Sequence, residues 1–211
     1  MIHLGNKKSK MKKTTIIGAG LVGSLLAIYL RRRGYEVSVY ERRPDMRKAL
    51  MSAGRSINLA LSDRGIKALE EVGIMDEIRK IAIPMHGRYI HHADGSHAYQ
   101  PYGKEGQFIN SVSRGELNKT LMTLAEKEGA HFFFNEKCEH INWKQKEIQF
   151  IHNETNDSTL TSQDLIFGSD GALWEENILP TILFSWTNRN EIADVITNQV
   201  QPTIVDPTML Q

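Results

Sequence analysis

The sequence predicts an α/β fold opened by a Rossmann-type βαβ unit, and three observations predict it. A short β-branched run, Thr14-Thr15-Ile16-Ile17, leads into Gly18-Ala19-Gly20-Leu21-Val22-Gly23. Behind this G-x-G-x-x-G, Ser24 to Arg33 carries apolar residues at helical spacing, and Gly34 closes it. A second strand-like run, Tyr35 to Tyr40, then ends in the acid Glu41. A glycine turn between strand and helix, with an acid after the next strand, is the fingerprint of dinucleotide binding.

Each part has a physical task. Gly18 allows the sharp turn. Gly20, lacking a Cβ, lets a pyrophosphate approach the backbone, and Gly23 lets helix and strand pack closely. The helix N-terminus, at Val22, offers unpaired N–H groups and a partial positive charge to the phosphates. Arg31, Arg32 and Arg33 complement the opposite end of the helix dipole. Glu41 can accept from a ribose 2′-OH, and its charge repels a 2′-phosphate, which argues against NADP in this pocket. Arg42 joins Glu41 as a cofactor candidate. The unit alone leaves FAD and NAD both open.

Bulk properties narrow the class. The chain has 211 residues, 40% of them hydrophobic, enough for one ordinary domain. A formal net charge of +1 gives no electrostatic case for nucleic acid. The single cysteine, Cys138, excludes a disulfide framework and a cysteine-based zinc site within one chain. No apolar run reaches the roughly 18 residues of a membrane-spanning helix. Residues 1–11, rich in lysine, are expected to be a disordered basic extension, and a cytoplasmic location fits.

Further along, Ser62 is placed to cap a helix from Asp63 to Val72, with Gly73 as its stop. Ile74 to Ile81 predicts another short helix ended by Pro84. Arg88–His92 and His97–Gln100 predict strands joined at Asp94-Gly95, a strong hairpin signal. Gln107–Val112 predicts a strand. Ser113-Arg114-Gly115-Glu116 has the form of a capping box, opening a helix to about Glu128 before Gly129. His131–Phe134, Glu139–Trp143, Glu147–His152 and Asp164–Phe167 alternate or cluster like strands. His86, His91, His92 and His97 have no standard metal-ligand spacing and are read as a solvated hairpin.

At Gly54-Arg55-Ser56-Ile57-Asn58-Leu59-Ala60-Leu61-Ser62-Asp63-Arg64-Gly65 the pattern becomes specific. This segment resembles the kynurenine 3-monooxygenase family of FAD-dependent aromatic hydroxylases. The resemblance continues through Ile83-Pro84-Met85, Pro101-Tyr102-Gly103, Ser111-Val112-Ser113-Arg114 and Asp170-Gly171-Ala172. It implies a glutathione-reductase-like, Rossmann-type FAD-binding domain over residues 12–172, incomplete, with a β-hairpin insertion that carries part of the substrate site.

The resemblance also implies roles. FAD contacts fall at Val22, Glu41, Ala60, Arg114 and Cys138. Asp170-Gly171 resembles the "DG" motif near the pyrophosphate and the NADPH approach. Arg88 and Tyr102 fall where the family clamps the carboxylate of L-kynurenine. A planar guanidinium suits that task because it donates two parallel hydrogen bonds. Read from the residues alone, Arg88 is a solvated strand residue, Tyr102 a turn aromatic and Cys138 a small buried hydrophobe. The implied reaction is FAD- and NADPH-dependent hydroxylation of L-kynurenine by O2 to 3-hydroxykynurenine, in tryptophan degradation towards NAD biosynthesis. No nucleophilic residue or metal is called for.

Beyond Ala172 the resemblance stops. Family members continue with a serine and an arginine where Trp174 and Asn177 stand here, and a later G-D-A-A-H loop is not seen. Residues 173–211 are therefore expected to be a divergent tail, and the chain a truncated form. The alternatives are another flavin-dependent aromatic hydroxylase and a non-catalytic nucleotide-binding module.

Overall fold

β1 (Lys13–Ile17) is buried from Thr14 onward on both faces, as an unbroken β-branched run in a parallel sheet requires. The computed structural model describes residues 12–48, 58–142 and 144–169. β1 pairs in parallel with β2 (Glu36–Glu41) on one side and with β12 (Leu165–Gly168) on the other. β8 (His131–Phe134) adds to β2, giving a parallel sheet of order β12-β1-β2-β8. The late strand that completes the sheet after an insertion is the predicted arrangement.

The alternation of side chains along these strands builds two cores. Ile16, Val37 and Val39 face α1 (Leu21–Arg32) and α4 (Arg114–Lys127), packing with Leu25, Ile28, Leu121 and Met122. Ile17 and Tyr40 face the other way, onto Cys138, Ile141, Ile148 and Phe150. These come from an antiparallel sheet of β9 (Glu136–Asn142), β10 (Glu147–His152) and β11 (Ser158–Ser162). The Tyr40 ring lies between Phe150 and Phe133, with centroids 3.8 Å and 4.7 Å away. Helices, parallel sheet and antiparallel sheet thus form three layers.

The insertion runs through β3 (Asn58–Leu61), α2 (Asp63–Glu71), α3 (Met75–Arg79), β4 (Ile83–Met85), β5 (Gly87–His91), β6 (His97–Pro101) and β7 (Ile109–Ser113). β3, β7 and β4 make one small antiparallel sheet, and β5 and β6 form the hairpin at Asp94-Gly95. The Ser62 hydroxyl accepts from Gly65 N–H at 3.4 Å, as its capping role requires. Gly34, Gly73 and Gly129 follow α1, α2 and α4 with φ of 80°, 56° and 91°, the left-handed stops the sequence predicts.

Some expectations are corrected. Pro84 does not end a helix. The helix stops at Arg79, and Pro84 lies inside β4, opposite Asn110. β4 is an edge strand, so its proline faces no lost ladder bond on the open side. Ser113 accepts from Glu116 N–H at 3.4 Å, but the Glu116 carboxylate pairs with Lys119 at 3.0 Å instead of turning back. Only half of the capping box forms, because Ser113 is also the last residue of β7, opposite Asn58. β9 begins at Glu136, three residues before the predicted strand. Residues 1–11, residues 49–57 (which include the 54–57 part of the specific segment), Trp143, Asp170-Gly171-Ala172 and the 173–211 tail lie outside the described residues.

Phe150 is fully buried against Tyr40. Phe150→Ala is expected to cost about 3–5 kcal/mol in urea unfolding. A loss below about 1 kcal/mol would mean that the antiparallel layer is not packed on the parallel sheet.

Candidate cofactor and substrate site

The cofactor site grows from the C-terminal ends of β1 and β2. Gly18 turns the chain with φ 104°, and its N–H donates to the Tyr40 carbonyl at 2.7 Å. A Cβ on Gly23 would stand 2.0 Å from the Gly18 carbonyl oxygen, so no side chain fits there. A Cβ on Gly20 would meet nothing closer than the Ser169 carbonyl at 4.0 Å. Gly23 is therefore a packing glycine, whereas the space beside Gly20 is open. That open space is the cradle a pyrophosphate needs, directly before the first turn of α1.

Glu41 is 7% exposed and heavily hydrogen-bonded. One carboxylate oxygen accepts from the Arg43 backbone N–H at 3.0 Å and from its Nε at 2.7 Å. The other accepts from Ala19 N–H at 2.9 Å and Arg43 Nη2 at 3.3 Å. Burial alone would raise its pKa, but the hydrogen bonds from Arg43 and Ala19 prevail and hold it below the ordinary carboxylate value. The carboxylate stays charged at neutral pH. Its contribution to stability is present above the ordinary pKa and is lost as the pH falls through the lowered one. A ribose hydroxyl approaching Glu41 must share or displace Arg43, whose side chain is 67% exposed and can move.

Glu41 and Gly loop residues Gly18, Gly20, Val22 and Gly23 are brought together as the sequence predicts, with Arg42 exposed beside them. Ser169 closes the same turn. Its N–H donates to Ile17 O at 2.7 Å, and its hydroxyl lies 2.8 Å from Gly18 O and 3.0 Å from Ile17 O. Asp170-Gly171 follow directly but lie outside the described residues. Ala60 is exposed on β3, opposite Ser111, and Arg114 is exposed at the start of α4. Cys138 is buried opposite Phe150 in the core between the sheets. Sequence reasoning missed Arg43, Asn118 and Ser169. Only Arg43 had a signal, its place two residues from Glu41.

The hairpin carries the substrate candidates. Arg88 stands opposite Gln100, and its Nε donates to Gln100 Oε1 at 2.9 Å. Tyr102 N–H donates to His86 O at 3.0 Å, so the ladder runs on past β6. The two-residue repeat of a strand puts Tyr102 on the face of Gln100 and Arg88. Arg88 and Tyr102 are both exposed. The row of guanidinium, amide and phenol offers the donors a carboxylate takes. Tyr89 and Tyr99 pair on the opposite face, with centroids 5.2 Å apart, and the His91 and His97 rings meet edge to face at 4.5 Å. Among the described residues, no group of three or more His, Cys, Asp or Glu side chains is placed to hold a metal.

A three-layer fold with a glycine turn, a buried acid bonded to it and a closing serine defines a class. The chain belongs to the family described as FAD binding domain, which matches residues 11–173. Within that class its relatives are particular. The chain is 49% identical over 163 residues to the kynurenine 3-monooxygenase of Christiangramia forsetii, a match covering 77% of this chain and 36% of that protein. The chain thus spans about a third of that relative's length. Among solved structures, it is similar to p-nitrophenol 4-monooxygenase PnpA from Pseudomonas putida, with TM-score 0.61 and 18% identity over 77% of this chain and 41% of that one. It is also similar to the flavin-dependent monooxygenase PieE in complex with FAD and substrate, with TM-score 0.63 and 16% identity over 77% and 31%.

The two glycines separate packing from binding. Gly20→Ala is expected to leave the melting temperature within a few degrees of the parent and to weaken FAD binding at least tenfold. Gly23→Ala is expected to destabilise the fold by more than about 2 kcal/mol, because the clash is with backbone. Calorimetry and FAD titration on both variants check this. Equal effects of the two on stability would contradict the assignment.

Proposed function

We propose that residues 12–172 provide the ADP-binding part of the FAD site, and one face of the substrate site, of a kynurenine-hydroxylating flavin monooxygenase. The observation that carries the reading is the 49% identity over 163 residues to a protein named kynurenine 3-monooxygenase. In this reading the N–H groups at Gly20 and Val22 take the pyrophosphate, Glu41 takes the ribose, and Arg42, Ala60, Arg114 and the backbone of Cys138, whose side chain is buried, line the cofactor. Asp170-Gly171, by their resemblance to the "DG" motif, serve the pyrophosphate and the NADPH approach. Arg88 and Tyr102 hold the carboxylate of L-kynurenine and orient its ring. FAD, when bound, supplies the redox chemistry by which NADPH and O2 put one oxygen atom on C3 of that ring.

The part played by this chain is position and charge. Glu41, charged at neutral pH, disfavours a 2′-phosphate, so NADPH reacts as a co-substrate rather than occupying the cradle. The exposed hairpin face leaves Arg88 in water, where a guanidinium binds a carboxylate weakly. Strong orientation therefore requires the rest of a protein as long as the relatives, to cover the hairpin and dry the site. No helix among the described residues is long and apolar enough to cross a membrane, and the proposed setting is the cytoplasm.

A chimera tests the reading. Residues 12–172 of this chain replace the matching segment of the Christiangramia forsetii relative. The chimera is expected to form 3-hydroxykynurenine from L-kynurenine with NADPH, and Arg88→Ala is expected to raise KM for L-kynurenine at least tenfold. The 211-residue chain alone is expected to form little product. A KM for L-kynurenine that Arg88→Ala leaves unchanged would point to a different aromatic substrate. Failure to retain FAD would leave only a nucleotide-binding or interaction module.

A further inference from the structure

We infer that Asn118, on α4, is a positioning residue that sets the orientation of the Ala19–Gly20 peptide and so presents a phosphate-binding N–H. The proposal deepens the FAD reading above and rests on it. Asn118 is 7% exposed and ninety-nine residues from Ala19 in sequence. Its Nδ2 donates to Ala19 O at 3.0 Å and to Met46 Sδ at 3.3 Å. The Ser24 hydroxyl lies 3.3 Å from Ala19 O and 3.4 Å from Asn118 Oδ1, and its one proton serves one or the other. The amide nitrogen thus has two fixed acceptors and the amide oxygen lies beside the Ser24 hydroxyl, and a buried amide with partners in fixed places holds one rotamer.

The consequence follows from peptide geometry. A trans peptide points its C=O and N–H in opposite directions. Drawing Ala19 O towards Asn118 on α4 therefore turns the Gly20 N–H away from α4, and the absent side chain of Gly20 leaves room for a ligand beside that peptide. The preceding peptide is fixed in the same manner. Ser169 Oγ lies at Gly18 O, and Glu41 accepts Ala19 N–H on the opposite side. Two successive peptides are therefore held by four side chains from four parts of the chain. Preset N–H groups bind phosphate without an ordering cost at the moment of binding. An adenosine moiety, lacking phosphate, draws nothing from this preset.

The test uses the full 211-residue chain with ADP and adenosine as probes, by calorimetric titration and competition against FAD. Asn118→Leu keeps the volume and removes the donor. It is expected to lower ADP affinity about tenfold, the effect of a lost buried hydrogen bond, and to leave adenosine affinity unchanged. Ser24→Ala is expected to lower ADP affinity by a smaller factor, again without touching adenosine. If Asn118→Leu does not fold, Ser24→Ala decides on the same two probes. Unchanged ADP affinity overturns the proposal, as does a parallel fall in ADP and adenosine affinity, which would mark Asn118 as a structural staple. Parent chain that binds neither ADP nor FAD overturns the FAD reading and this one with it.

Discussion

The hydrogen bond from Ala19 N–H to the Glu41 carboxylate, at 2.9 Å, ties the glycine turn to the second strand. It links residues twenty-two apart and sits at the point where β1, α1 and β2 meet. Removing the carboxylate would leave a buried N–H without an acceptor and a guanidinium at Arg43 without its main partner. In the proposed reading the same carboxylate also faces the ribose, where a charged acid accepts hydroxyls and repels a phosphate. Its hydrogen bonds from Arg43 and Ala19 hold it ionised against the cost of burial.

The layers around that point serve to keep it in place. Ile16, Val37 and Val39 fix β1 and β2 against α1 and α4, and α4 in turn brings Asn118 to the back of the turn. Tyr40, stacked between Phe133 and Phe150, pins the end of β2 from the other face. Arg32 reinforces the helix side by pairing with Glu128 at 2.6 Å. These last charges are partly exposed and contribute modestly. Burial of the two cores stabilises the fold more, because it removes side chains such as Ile16, Val37, Val39, Ile148 and Phe150 from water.

The opening βαβ unit was legible because its signals are local. Glycine spacing, helical periodicity, arginines at the helix end and Glu41 all fall within residues 14–41. Asp94-Gly95 announced the hairpin for the same reason. Asn118 and Ser169 were not legible, because their hydrogen bonds to the glycine turn cross 99 and 151 residues that no local pattern records. β11, Ser158–Ser162, was missed because its mostly polar residues lack an apolar alternation. Pro84 misled because proline marks both helix ends and edge strands, and only the pairing of β4 with β7 tells them apart. Arg88 and Tyr102 were found through resemblance. Their shared face follows from the hairpin register, which the turn residues foretold.

We propose that this chain holds FAD by its ADP end. Competition at equilibrium tests it most directly, with the purified chain, FAD, ADP, ADP carrying a 2′-phosphate, and FMN. ADP is expected to displace FAD, the 2′-phosphate analogue to compete far more weakly, and FMN not to compete. Displacement by FMN but not by ADP would contradict the claim.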